Sequence, residues 1–344
     1  MATQETQVLD DRSRLEDARM ASLIVYVHDL DESRAFYGDL LGLRQVVDEA
    51  AEAGSVRFDA GVTVLDLRRA ADYGITLAPQ RDDSSDTVFL VDDVEAVSAA
   101  LETRGVTFAR RRSYEIGKVI DFYDPNGHRL MLYEPSEKAM RSTSAPKMRA
   151  VWRAAGRGSA ELIGPPAETV PVDAADLEAR GLDGKPLIYF FVFVQDMAGA
   201  NAFFEDALGF RALERTHCCN HACASDIKGV VKYDCGGVML STHHMHGHEA
   251  VVDDSGNPYG AKEFHPEHAK GVAPVFHVGD LGDAVWRLAQ RGVSTARTVT
   301  YSQAGATARV EAPSGHLFWL YEPSDEARDG PGGRKLEEIM GAEL

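Results

Sequence analysis

The chain repeats itself, and the repeat constrains the fold more than any other feature. VYVHDLDESRAFYGDLLGL at 25–43 returns as VFVQDMAGANAFFEDALGF at 192–210. Each reads as an apolar strand, an Asp-containing turn and an amphipathic helix that stops at Gly. Asp29 and Asp196 stand where a helix N-cap needs a short acceptor. Gly42 and Gly209 stand where a left-handed C-cap is expected. FLVDDVEAVSAALETRGV at 89–106 likewise returns as FHVGDLGDAVWRLAQRGV at 276–293, and DPNGHRLMLYEPS at 124–136 as APSGHLFWLYEPS at 312–324. Each half therefore holds two strand–helix–strands units. The spacing predicts an α+β chain of tandem βαβββ units: a polar tail at 1–20, a first domain at 21–137, a linker at 138–186, a second domain at 187–325 and a tail at 326–344.

A net charge of −18 over 344 residues repels phosphate backbones. The short RRR at 110–112 reads as a solvated strand end, so nucleic acid is not an expected partner. No apolar run approaches the roughly 20 residues of a membrane span, and a membrane is not expected either. MATQETQVLDDRSRLEDARM lacks the apolar segment of a secretory signal, and the expected location is the cytoplasm. All four cysteines fall between Cys218 and Cys235. That clustering fits unpaired thiols or metal ligands better than a disulfide framework.

Paired βαβββ units carrying DLxxSxxFYxxxLGL and DPxGxxxxLYEP resemble the vicinal oxygen chelate superfamily. This group includes glyoxalase I, extradiol ring-cleaving dioxygenases, fosfomycin-modifying enzymes and bleomycin-binding proteins. The resemblance implies cupped sheets around a pocket. It also implies His, Glu or Gln at set strand positions, holding a divalent metal with open sites for a substrate oxygen. Those positions fall on Ser22, Asp66, Asp86 and Met131 in the first half. In the second they fall near Tyr189, Ser241, Ala273 and Trp319. Neither set is a usual metal site, and the first half is expected to be metal-free.

The second half departs from the repeat where its ligand-type residues enter. It gains about eight residues between 210 and 236, including THCCNHACAS, and about twelve between 245 and 275. Ten of the twelve histidines lie in this half, eight of them between 217 and 268. Strand alternation suggests a rearranged metal set of His243 and His277, aided by His217 or His221, with Cys218, Cys219 and Cys223 nearby. Fe(II) is the expected metal, with Zn(II) or no metal as alternatives. Tyr189 and His277 are the candidate catalytic residues, and Phe191, Phe193 and Trp319 the candidate aromatic walls. His128 and His316 read as turn-edge residues.

Three functions stay open. The leading one is a metal-dependent dioxygenase or lyase acting on a small aromatic or quinone-like molecule. The second is metal-free sequestration of a flat drug. The third is a cofactor-free isomerase or lyase using Tyr189 and a histidine. The partner in each is a small molecule, and homodimer formation stays open.

Overall fold

The computed structural model describes residues 18–46, 54–77, 82–156, 181–216, 229–244, 269–293, 295, 299–330, 333, 334 and 337. Within them the four predicted units are present. The first comprises β1 (Arg19–Val27), α1 (Leu30–Arg34, continued by a π-type turn over Ala35–Leu40), β2 (Gln45–Val46), β3 (Ser55–Asp59) and β4 (Val64–Arg69). The second comprises β5 (Asp82–Leu90), α2 (Val94–Thr103), β6 (Phe108–Tyr114), β7 (Gly117–Tyr123) and β8 (His128–Pro135). A connecting helix α3 (Ala145–Ala154) follows. The third unit has β9 (Leu187–Val194), α4 (Met197–Asn201, continued by a π-type turn over Ala202–Ala207), β10 (Arg211–Thr216), β11 (Val230–Asp234) and β12 (Met239–His244). The fourth has β13 (Val272–His277), α5 (Leu281–Gln290), β14 (Thr300–Ser302), β15 (Gly305–Glu311) and β16 (Leu317–Pro323), before a short α6 (Asp325–Asp329). None of the described helices is long and apolar enough to cross a membrane.

The local signals act as their chemistry requires. Asp29, Asp93, Asp196 and Asp280 each accept a backbone N–H at the head of the following helix. Gly42 and Gly209 have φ of 74° and 75°, the left-handed conformation in which a side chain would be strained. The glutamate of each YEP run reaches to the helix of its own unit. Glu134 accepts from the Val94 amide at 2.9 Å and Glu322 from the Leu281 amide at 2.7 Å. The tyrosine before it donates to a hairpin carbonyl, Tyr133 to Ile116 and Tyr321 to Ala304.

The strands assemble into two eight-stranded sheets. The first runs β14-β15-β16-β13-β1-β4-β3-β2 and the second β10-β11-β12-β9-β5-β8-β7-β6. The sequence groups the units as 21–137 and 187–325, but each of those halves supplies four strands to both sheets. The first and fourth units meet through antiparallel β1 and β13, with Ser22 opposite Val275 and Ile24 opposite Ala273. The second and third meet through antiparallel β5 and β9, with Asp86 opposite Phe191 and Val88 opposite Tyr189.

Helix α4 lies between the sheets. Its Phe204 ring is 5.5 Å from Tyr233 on the second sheet and 5.6 Å from Phe318 on the first. Phe210, just beyond α4, packs 5.0 Å from Phe276. Burying each such ring contributes about 1.5–3 kcal/mol. The opposite face of each sheet turns away from these helices and forms a cup.

Two histidines join the sheets. His128, after the turn at 124–127, pairs its Nε2 with the Tyr26 carbonyl at 2.7 Å. His316, at the equivalent turn, pairs its Nε2 with the Ser84 carbonyl at 2.9 Å. In each case the ring sits on one sheet and the carbonyl on the other. Both residues are buried, at 3% and 0% exposure, so they are interior staples rather than the turn-edge residues expected from sequence. The segment before His128 is tied down too, because Asp124 accepts from the Tyr37 hydroxyl and Asn126 from the His28 amide. Replacing either staple leaves a buried carbonyl without its partner, at about 1–3 kcal/mol. We expect His128→Ala and His316→Ala each to lower stability by about that amount in urea unfolding. A change below about 0.5 kcal/mol in both would show that the staples are dispensable.

Candidate functional site

Strand alternation selects the residues of each cup. In the first cup, Ile24, Tyr26, Ala273, Val275 and Leu317 form an apolar cluster with Ala70, Ile75 and Leu77 from the segment after β4. Around it stand Asp66 and Arg68 on β4, Arg57 on β3, Trp319 on β16 and the half-buried His277 on β13. The Trp319 indole N–H donates to the Tyr26 hydroxyl at 3.1 Å. Burial pushes that hydroxyl's pKa up to about 12. Asp66 is held by Arg68 at 2.8 Å and 3.1 Å, with Arg57 at 3.5 Å.

The second cup is richer in rings. Tyr189, Phe191 and Phe193 alternate along β9 onto one face, and His243 on β12 lies opposite Phe193. The His243 ring is 4.5 Å from Phe191 and 5.5 Å from Phe193, and Tyr189 is 5.3 Å from Phe191. Tyr133 joins at 6.1 Å from Tyr189. Two cations lie over this surface. Arg129 is 5.6 Å from the Phe193 ring and the Lys232 ammonium 5.4 Å from that of Tyr189.

Each cation has a carboxylate. Arg129 makes a buried two-point ion pair with Asp86. On β6, a single guanidinium nitrogen of Arg112 donates to both carboxylate oxygens of Asp121. Lys232 lies 2.9 Å from Glu214, which also accepts from Ser144 at 2.6 Å. Burial opposes charge on Lys232, but Tyr189 and Glu214 outweigh it and raise its pKa. Burial likewise opposes charge on Glu214, but Lys232 and Ser144 outweigh it and lower its pKa. Ser144 heads α3, and Lys147 on α3 pairs with Asp234 at 2.9 Å. Helix α3, within the segment expected as a linker, therefore packs at one end of this cup.

The candidate residues divide between the cups. Tyr189, Phe191, Phe193 and His243 come together in the second. His277 and Trp319 lie on the first sheet, so a metal set containing both His243 and His277 is not assembled. His217, His221, Cys218, Cys219 and Cys223 lie outside the described residues. The second cup draws Asp86, Arg129 and Met131 from the first half of the chain, so its walls are not confined to the second half.

The family positions regroup as Ser22, Asp66, Ala273 and Trp319 in the first cup and Asp86, Met131, Tyr189 and Ser241 in the second. Neither set fits a divalent metal. The carboxylate in each is already paired with arginine, whose charge repels a cation, and the remaining positions are weak donors or none. Among the described residues no three His, Cys, Asp or Glu side chains are grouped to hold an ion.

Sequence reasoning missed the cations. Alternation could have found two of them, because Arg68 lies two residues from Asp66 and Arg129 two from Met131, on the same faces. Lys232 and Glu214 carried no motif, and Ser144 lay in a segment without a repeat partner.

The sequence of this chain matches no curated protein. Among solved structures, a glyoxalase I variant from Zea mays superposes with a TM-score of 0.57 at 14% identity, covering 92% of this chain and 96% of that one. Glyoxalase I from Zea mays superposes at 0.53 with 14% identity, covering 95% and 96%. At such identity the likeness is one of fold. The family model for the Glyoxalase/Bleomycin resistance protein/Dioxygenase superfamily matches residues 19–132 and 187–320, most of the chain. The repeats, the two cupped sheets and this match agree, and the chain belongs to the Glyoxalase/Bleomycin resistance protein/Dioxygenase superfamily.

Proposed function

We propose that the protein binds a small flat aromatic or quinone-like molecule in the second cup, without a metal held at the family positions. The observation that carries this reading is the contiguous ring surface of Tyr189, Phe191, Phe193 and His243, with Arg129 and Lys232 beside it. Such a surface suits a planar ligand, since stacked rings attract beyond their area alone. Lys232 and Tyr189 are the polar groups placed to orient the ligand's oxygens, and they are also the candidates for proton donation in a cofactor-free isomerase or lyase. The Asp86–Arg129 pair fixes one wall of the cup.

A second reading rests on the register at the cup's rim. Thr216 lies opposite Val230, and Val230 opposite His243. Thr216, the last described residue of β10, is followed in the sequence by the HCCNHAC run, which lies outside the described residues. His243 with His217 and His221 would be the Fe(II) or Zn(II) ligands of a ring-cleaving dioxygenase or lyase on this reading. Elemental analysis of untagged protein purified anaerobically separates the two. About one iron or zinc per chain favours the metal enzyme, and a small fraction of one even after Fe(II) or Zn(II) is added favours the metal-free reading.

Two substitutions divide the cups. With menadione as probe, Phe191→Ala is expected to weaken binding at least about tenfold, because it opens the ring surface at its centre. His277→Leu is expected to leave menadione binding unchanged. Burial, with Arg328 adding to it and Glu322 partly opposing, lowers the pKa of His277. A lowered folded-state value favours the fold at pH above the ordinary histidine range, and this contribution is lost as pH falls through that range. His277→Leu should therefore match the parent's melting temperature at pH 8 and gain on it toward pH 5.5. Normal menadione binding by Phe191→Ala, or its loss in His277→Leu, contradicts the assignment to the second cup.

A further inference from the structure

Helix α3 reaches the second cup through a serine that the helix itself does not use. Ser144 stands at the N-cap of α3, where a hydroxyl ordinarily accepts an amide of the first turn. Here it makes no such bond, and Pro146, two residues on, has no N–H to offer. Ser144 is fully buried. Its hydroxyl instead donates to Glu214 at 2.6 Å and accepts from the Lys232 ammonium at 3.3 Å. Lys232 also donates to Glu214 at 2.9 Å, so side chains from the head of α3, from β10 and from β11 close a triangle.

The repeat shows that this triangle is not inherent in the fold. SVRFD on β3 corresponds to VVKYD on β11, which makes Arg57 the counterpart of Lys232. Arg57 lies opposite Asp66 on β4 and Val46 on β2. Lys232 lies opposite Ser241 on β12 and Glu214 on β10. The carboxylate that answers the cation has thus changed strands, from the inner neighbour in the first sheet to the outer neighbour in the second. That outer strand is the one α3 reaches. A glutamate on an outer strand has rotamer freedom to lose, and the bond from Ser144 fixes it. The ammonium keeps 18% side-chain exposure, so a small reagent can reach it.

We propose that Ser144 and Glu214 are positioning residues, through which α3 holds the Lys232 ammonium over the Tyr189 ring of the second cup. The cup's rings come from the repeats, and the placing of its cation comes from the segment between them. The consequence for ligand binding rests on reading the second cup as a ligand site. The positioning itself does not.

Acetylation of the native, intact chain by acetic anhydride, followed lysine by lysine by mass spectrometry, tests this. The reagent attacks the neutral amine, so an ammonium held by a carboxylate reacts slowly. Glu214→Gln is expected to speed labelling of Lys232 at least about threefold, and Ser144→Ala about two- to threefold. Lys147, on α3 and paired with Asp234, is the internal control. Its rate should stay as in the parent, whereas a general loosening of α3 would speed both lysines. The two substitutions together should raise the Lys232 rate by less than the product of their separate effects, because the serine acts largely through the glutamate. Unchanged Lys232 labelling in Glu214→Gln overturns the proposal, as do equal gains at Lys147 and effects that simply multiply. Should Ser144→Ala not fold, Glu214→Gln at the cup's edge decides. Menadione should bind Glu214→Gln at least about threefold more weakly than the parent. A parent that does not bind menadione refutes the ligand reading of the cup, and the labelling rates then support or overturn the positioning by themselves.

Discussion

The antiparallel pairing of β1 with β13 and of β5 with β9 is the constraint on which the rest of the molecule depends. Each unit offers the open edge of its first strand, and an open edge must be paired or shielded. The chain pairs it across halves, first unit with fourth and second with third. Both cups are therefore joint products of the two halves. The helices that follow β1 and β9 are enclosed between the sheets, and the His128 and His316 staples tie each sheet to the backbone of the other.

On this scaffold the two cups have diverged in opposite directions. The first is filled at its floor by Ala70, Ile75 and Leu77 and keeps a small polar rim around Asp66. The second keeps an array of rings and closes one end with the connector, through Ser144 and Lys147. In both, an arginine stands next to the carboxylate that a metal would need. Removing Arg129 alone would break the buried ion pair of Asp86, and Asp66 would have to lose both Arg57 and Arg68. A return to metal binding at those positions thus requires several coordinated substitutions.

Much of the fold was legible because its signals are local. An aspartate before a helix, a glycine after it and an apolar period act within a few residues, and all four units follow from them. The choice of sheet partner was not legible. β1 and β5 present the same alternation whichever strand lies beside them, and nothing within either half says that its units will part. The aromatic face of β9 could be read from the alternation of Tyr189, Phe191 and Phe193. The separation of His243 from His277 could not, because it follows from the sheet partner rather than from spacing. The buried role of His128 and His316 was hidden for the same reason, since each answers a carbonyl more than a hundred residues away in one case and more than two hundred in the other.

Reconstitution from half-chains tests the shared-sheet architecture most directly. Residues 1–160 and 181–344 would be produced separately, refolded alone and refolded together. Because each sheet needs four strands from each half, neither piece should unfold cooperatively as a monomer. The mixture should give a one-to-one complex with a single cooperative transition that binds menadione as the intact chain does. Two monomeric halves, each with its own sharp transition and no affinity for the other, would contradict the pairing of β1 with β13 and of β5 with β9.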